Sequence, residues 1–218
     1  MLSIPEKIFL LSLYEKRNGS VQISKSPLLS YGLVAGSLSE IVLTKVGTIN
    51  STHKLKIIEP ATENRFIPGD LIKQITYEKD FKKSSFWIEV LGKKRKRIEG
   101  EFIHSFKENK ILTIDGQVYH FSSDMLKNPT IKFSIKEEIR NLVLGGATFD
   151  TKTFAVLKIL ETIHMLDQLF TFDEIKPIRQ QIDSIIPSSG VFNLDTTDIE
   201  NVMSIVESLN QVVNLQKD

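Results

Sequence analysis

The sequence contains no cysteine in 218 residues, which excludes disulfide scaffolds, thiolate metal centres and cysteine nucleophiles. That fits a reducing compartment. It has almost no net charge either: 28 Lys and Arg stand against 27 Asp and Glu, for a balance of +1. A chain so balanced has no global attraction to nucleic acid or membrane, and any such attraction must come from a local patch. There is no long apolar run. The longest candidate, Leu28 to Val46, is interrupted by Ser30, Ser37, Ser39, Glu40, Thr44 and Lys45, whereas a spanning helix needs roughly 20 mostly apolar residues. The segment Met1 to Lys7 lacks the basic and apolar regions of a secretory signal. The expectation is a soluble or peripheral protein on the cytoplasmic side. Apolar residues at 41% and charged residues at 25% are ordinary proportions, so global disorder is excluded and one domain over residues 1–218 is expected.

Catalytic signatures are missing too. No phosphate-binding loop, dinucleotide fingerprint, H-E-x-x-H or G-x-S-x-G occurs. The four histidines, His53, His104, His120 and His164, have no ligand spacing. No metal or cofactor is expected. An enzyme whose carboxylates pair only in space is the third of three functional readings.

What is present is mostly helical pattern. Ser3-Ile4-Pro5-Glu6 is a capping box that opens a very apolar helix, stopped by Asn18-Gly19-Ser20. A second helix is predicted over 28–44, where Gly32 and Gly36 thin one side for close helix packing. Residues 46–49 and 54–58 read as a short hairpin. Residues 60–68 form a polar loop, and Gly69-Asp70 opens a helix with Leu71, Ile72 and Ile75 on one face. After Trp87-Ile88-Glu89-Val90-Leu91 and Gly92 comes a helix with Ile98, Phe102 and Phe106 spaced by four. Asp115-Gly116 then marks a hairpin of type I′. The remainder reads as helices. One is capped at Ser134 and ends at Gly145-Gly146, and a long one capped by Asp150 carries Phe154 through Leu166. One is capped by Asp173 with Pro177 in its first turn, and a last one opens with a capping box at Thr197 after a loop at Pro187 to Gly190. The fold class is mainly α: a helical bundle ringed by amphipathic helices, with one or two small β-hairpins.

One feature violates a local rule. Lys93, Lys94, Arg95, Lys96 and Arg97 are five consecutive basic residues at a predicted helix start. Cations there are disfavoured by roughly 0.3–1 kcal/mol each at exposed sites. Such violations mark functional sites. Between residues 73 and 97 nine basic residues face three acidic ones, Glu78, Asp80 and Glu89. The run is either a solvated helix start or a phosphate-binding patch, worth up to about 1 kcal/mol per residue at an anionic leaflet. Two binding readings follow. In one the run meets lipid headgroups. In the other, the helix and the following hairpin form a winged-helix element on nucleic acid. Near-neutral charge and a wing without Lys or Arg disfavour the second.

The order of segments resembles the Golgi phosphoprotein 3 family of peripheral membrane proteins. Glu6 to Leu13 resembles its opening acidic-then-leucine helix, Tyr31 to Ile41 its small-residue helix, and Val46 to Ile49 the strand that follows. Trp87-Ile88-Glu89-Val90-Leu91 is similar to its W-I-E-L-L segment, Glu108 to Leu112 to the entry of its hairpin, and Ile135–Leu144 with Asp150–Leu169 to its closing helices. The resemblance implies binding of phosphatidylinositol 4-phosphate or other anionic headgroups, an adaptor role without catalysis, and protein cargo as a partner. It also implies where the headgroup site falls. The family's Trp position lies near Lys25, its first Arg position is Val34, and its basic-helix positions are Lys96 and Glu99. Only Lys96 keeps a charge of the right sign, so a looser site on Lys93 to Arg97 is expected, in a bacterial-type member. The family's hairpin mediates self-association in some members, which makes Ile111, Ile114, Val118, Tyr119 and Phe121 candidate oligomer contacts.

Overall fold

The computed structural model describes residues 2–58, 75, 81–122, 135, 137, 139, 140, 150–185 and 195–216. Helix α1 (Ile4–Ser12) begins as its capping box dictates: the Ser3 backbone N–H donates to Glu6 Oε2 at 2.9 Å, and Glu6 N–H donates back to Ser3 Oγ. Every residue of α1 is buried. Helix α2 (Leu29–Leu43) is buried almost throughout, consistent with a sequence that is apolar on all sides. Its serines avoid stranded hydroxyls by donating one turn back, Ser37 to the Leu33 carbonyl and Ser39 to the Ala35 carbonyl. The two glycines serve close packing. A Cβ at Gly36 would lie 3.0 Å from Ile8 of α1, and one at Gly32 would lie 2.7 Å from Ile163.

Around this pair the chain adds β1 (Leu13–Glu15), β2 (Val21–Ile23), β3 (Gly47–Ile49), β4 (Leu55–Ile57), α3 (Ser84–Gly92), α4 (Arg95–Glu108), β5 (Leu112–Asp115) and β6 (Val118–Phe121). Then follow α5 (Thr151–Thr162), α6 (Leu166–Leu169), α7 (Phe172–Ile185) and α8 (Thr196–Leu215). The mainly α class with small antiparallel sheets is therefore observed. β3 and β4 form a two-stranded sheet in the expected place, with Thr48 opposite Lys56. α4 turns Ile98, Phe102 and Phe106 into the core, as their spacing predicts. The apolar stripe of α8, Val202, Val206, Leu209 and Val213, is likewise buried.

Several local expectations are corrected. The first helix ends at Ser12, not near Asn18. Ser12 Oγ donates to the Phe9 carbonyl at 2.6 Å, and Leu13 to Glu15 pair with Val21 to Ile23 around a turn at Gly19, whose φ is +77°. This hairpin joins the second one through Val21 opposite Tyr119, giving a four-stranded sheet in the order β1-β2-β6-β5. The β5–β6 hairpin is thus part of a sheet and not a free wing. Its loop is Gly116-Gln117, since Asp115 pairs with Val118. Only Gly116 of the two has positive φ, the pattern of a type II′ turn and not I′.

The Asp150 cap is present, with Thr153 N–H donating to its carboxylate at 2.6 Å. That helix stops at Thr162 and does not reach Leu166. His164 takes a left-handed conformation, and Met165 N–H reaches back to the Leu160 carbonyl at 2.8 Å, closing a Schellman motif. α7 starts at Phe172, before Asp173 and not after it, and Thr171 N–H, just ahead of the helix, donates to Glu174 Oε2 at 2.8 Å. This donor, together with the Thr171 hydroxyl and the Arg140 guanidinium, holds the Glu174 carboxyl below its ordinary range. Pro177 consequently lies inside the helix, beyond the first turn. α8 is capped by Asp195, two residues before the predicted box. The predicted polar loop at 60–68, the helix opening at Gly69, its Leu71 and Ile72, the Ser134 cap, the Gly145-Gly146 stop and the 187–190 loop lie outside the described residues. Ile75, Ile135 and Ile139 are helical and buried.

Candidate functional site

The five basic residues occupy the turn between α3 and α4. Lys93 is the last cap of α3 and Lys94 the first cap of α4; Arg95, Lys96 and Arg97 form the first turn of α4. The turn is therefore the carbonyl end of one helix, which favours cations, as well as the N–H end of the next, which does not. Carboxylates one turn away offset the second effect. Arg95 Nε lies 2.7 Å from Glu99 Oε1, and Arg97 Nε lies 3.5 Å from Glu101 Oε1. On α3, Lys93 Nζ donates to Glu89 Oε1 at 2.6 Å, and this bond raises the Lys93 ammonium above its ordinary pKa.

Arg95 does more than pair. Its guanidinium donates to the Ser24 carbonyl at 2.9 Å and to the Lys25 carbonyl at 3.3 Å, tying α4 to the segment before α2. From α2, Ser30 Oγ donates to the Gly92 carbonyl at 2.7 Å. A Cβ at Gly92 would fall 2.2 Å from the Tyr31 ring, so only glycine allows the α3–α4 turn to sit this close to α2. The basic turn is thereby fixed to the buried α2 and to the segment that leads into it. Lys93, Lys94, Lys96 and Arg97 remain exposed, and Arg95 is half-buried.

The positions that the family resemblance points to are separated in character. Lys25 is exposed beside Arg95, while Val34 is fully buried and Glu99 is held by Arg95. No second Arg meets the turn from α2. Of the hairpin residues, Ile114 is 37% and Val118 43% exposed, while Tyr119 and Phe121 are half-buried. Ile111 belongs to the core and not to a contact surface. It follows the left-handed Lys110, and its N–H returns to the Phe106 carbonyl at 2.8 Å, which turns its side chain inward.

A second feature lies on the same side of α3 and was not foreseen. Lys54, Phe81, Lys82, Lys83, Ser85, Phe86 and Glu89 line an open groove of about 720 Å³. Lys56 Nζ stands 5.6 Å above the Phe81 ring and Lys82 Nζ 5.8 Å above the Phe86 ring. Lys82 and Lys83 were visible as part of the basic stretch, with Phe81 and Phe86 on either side of them, but Lys54 and Lys56 come from a separate segment. The alternation of Lys54 and Lys56, at and just before the start of β4, with the buried Leu55 between them was the available signal.

No cluster of His, Asp or Glu among the described residues could hold a metal ion. The histidines serve local bonds: His53 Nδ1 lies 2.6 Å from Ser204 Oγ, and His120 Nδ1 lies 3.2 Å from the Gly19 carbonyl. Among the described residues no helix is long and apolar enough to cross a membrane.

Among the described residues, a helical core carrying small antiparallel sheets and a basic inter-helix turn defines a mainly α protein with a cationic edge. The chain belongs to the Golgi phosphoprotein 3 (GPP34) family, whose model matches residues 4–195. No match was found among curated proteins.

Proposed function

We propose that this protein is a peripheral membrane-binding adaptor that recognises anionic lipid headgroups through the α3–α4 turn, on the cytoplasmic face of its membrane. The observation that carries this reading is the turn itself: five cations from Lys93 to Arg97, anchored to the buried α2 through Ser30 and to the segment before it through Arg95. Family membership supports the lipid-binding role. The buried Val34 and the acidic Glu99 favour charge-based recognition of headgroups over a stereospecific phosphoinositide site. They also favour a bacterial-type member. The exposed Ile114 and Val118 of the β5–β6 hairpin, with Tyr119, are the candidate contact for a second copy, and protein cargo completes the adaptor role.

The test is co-sedimentation with neutral, anionic and phosphatidylinositol 4-phosphate vesicles. Wild type should sediment with both charged types and not with the neutral one. Exchanging Lys94 and Lys96 for Ala should lower partitioning roughly 30-fold at low salt, since each lysine near the surface is worth about 1 kcal/mol. Arg95→Ala should instead perturb the α4 start and lower the melting temperature. Equal sedimentation of wild type with neutral and anionic vesicles would sink the proposal.

A further inference from the structure

We infer that Phe81 and Phe86 form an apolar anchor that enters the headgroup–acyl boundary of an anionic bilayer, with the surrounding lysines reaching out to phosphates. The inference rests on the membrane reading above and adds a second, hydrophobic point of contact.

Three observations carry it. The first is exposure: Phe81 is 51% and Phe86 38% accessible, and both line the same open groove. Large apolar side chains gathered at one place are uncommon on a protein surface and mark contact sites. The second is the charge around them. Lys54, Lys56, Lys82 and Lys83 surround the two rings. The acidic residue lining the groove, Glu89, is bonded to Lys93. An aromatic ring rimmed by long cationic side chains suits the boundary of an anionic membrane, where rings sit at headgroup depth and lysines snorkel outward.

The third observation is continuity. Phe86, Glu89 and Lys93 follow one another at helical spacing along one side of α3. The nine residues of α3 span roughly 13 Å. The helix thus lies between the aromatic groove at its start and the basic turn at its end, and both can face one flat surface. The start is held in place: Ser84 N–H and Oγ both donate to the His53 carbonyl, at 2.9 and 3.0 Å, and Leu55 N–H donates to the Lys82 carbonyl at 3.1 Å.

The protein supplies its own reporter. Trp87 is its single tryptophan, buried, with its ring 5.3 Å from Phe86 at 79°. Full-length protein is mixed with anionic vesicles whose acyl chains are brominated or plain, and Trp87 emission is compared. Brominated chains should quench wild type. The double variant F81A/F86A should bind plain anionic vesicles roughly tenfold more weakly and lose the quenching, whereas F81L/F86L should restore most of the affinity. At roughly 0.5 M salt, where exposed charges are screened, residual binding should persist in wild type and vanish in F81A/F86A.

Wild-type binding to anionic vesicles with no quenching, or with affinity unchanged in F81A/F86A, would overturn the anchor and leave the basic turn standing. Loss of all vesicle binding in wild type would overturn both. If F81A/F86A lost binding to an acidic peptide containing aromatic residues while keeping full vesicle affinity, the groove would be a peptide site and the inference wrong.

Discussion

Lys152→Met is expected to destabilise the protein by about 3 kcal/mol or more, the range for leaving one partner of a buried ion pair alone. The reason lies in Glu40 of α2, whose side chain is only 2% exposed. Its Oε2 accepts the backbone N–H of Ile4 at 2.9 Å, the first residue of α1, and its Oε1 accepts Lys152 Nζ of α5 at 2.6 Å. One carboxylate therefore joins three helices. Lys152 is 35% exposed. The two ends of this pair are thus unequal. Without Lys152, the Glu40 carboxylate keeps one neutral donor and no cation in a desolvated place. Without the carboxylate, as in Glu40→Gln, the ammonium turns to water and the amide oxygen still accepts from Ile4. Glu40→Gln should cost only about 1–2 kcal/mol. In the double variant most of the Lys152→Met penalty should disappear, giving a favourable coupling of about 1–3 kcal/mol. Urea midpoints with unchanged m-values are the measurement. A Lys152→Met variant more stable than Glu40→Gln would refute the asymmetry.

Phe102→Ala is the second large effect, expected at about 3–5 kcal/mol, or roughly 10 °C in melting temperature for a chain of this size. Phe102 and Phe106 of α4 meet Phe9 of α1, with ring centroids 5.4 and 5.2 Å apart. The first pair is stacked at 28° and the second is edge-on at 75°. All three rings are buried. This cluster fastens α4 to α1, so truncation removes a ring's burial and leaves a void that rigid helices on both sides cannot fill. Phe102→Leu should cost distinctly less, because most of the volume remains. Since α4 begins with the basic turn, Phe102→Ala should also lower vesicle affinity near its melting temperature while leaving it unchanged well below. A melting shift under 2 °C would contradict the packing role.

Much of the architecture could be read from residue order. The Ser3–Glu6 box, the Asp150 cap and the Ile98–Phe102–Phe106 spacing are local signals, and each appears where local chemistry puts it. The overrun of α5 has a local cause. α4 and α5 end on Lys110 and His164 in left-handed conformations, and α2 is followed by Lys45 in the same state. Glycine normally announces such an ending; without it the apolar pattern of α5 runs on past its true stop. The β1–β2 hairpin was hidden for a different reason. Its three-residue strands are secured by pairing with β6, almost a hundred positions away, and no window around Leu13 contains that partner. The same distinction governs the site. Five adjacent basic residues are conspicuous in any reading, whereas the Phe81–Phe86 groove draws in Lys54, with Lys56 of β4 over the Phe81 ring, and exists only once the chain is folded.

The carboxylates beside the basic turn act as built-in counter-ions. Lys93, Arg95 and Arg97 already hold Glu89, Glu99 and Glu101. A phosphate arriving at the turn must displace these neighbours before it gains the full attraction of the cations. Attachment is then an exchange of one anion for another, and each contact yields only a difference between two similar energies. The salt dependence of vesicle binding should accordingly report an effective charge well below the five that the sequence displays. Replacing Glu99 and Glu101 by Gln should steepen it. A turn tuned in this way lets go of a membrane as readily as it takes hold.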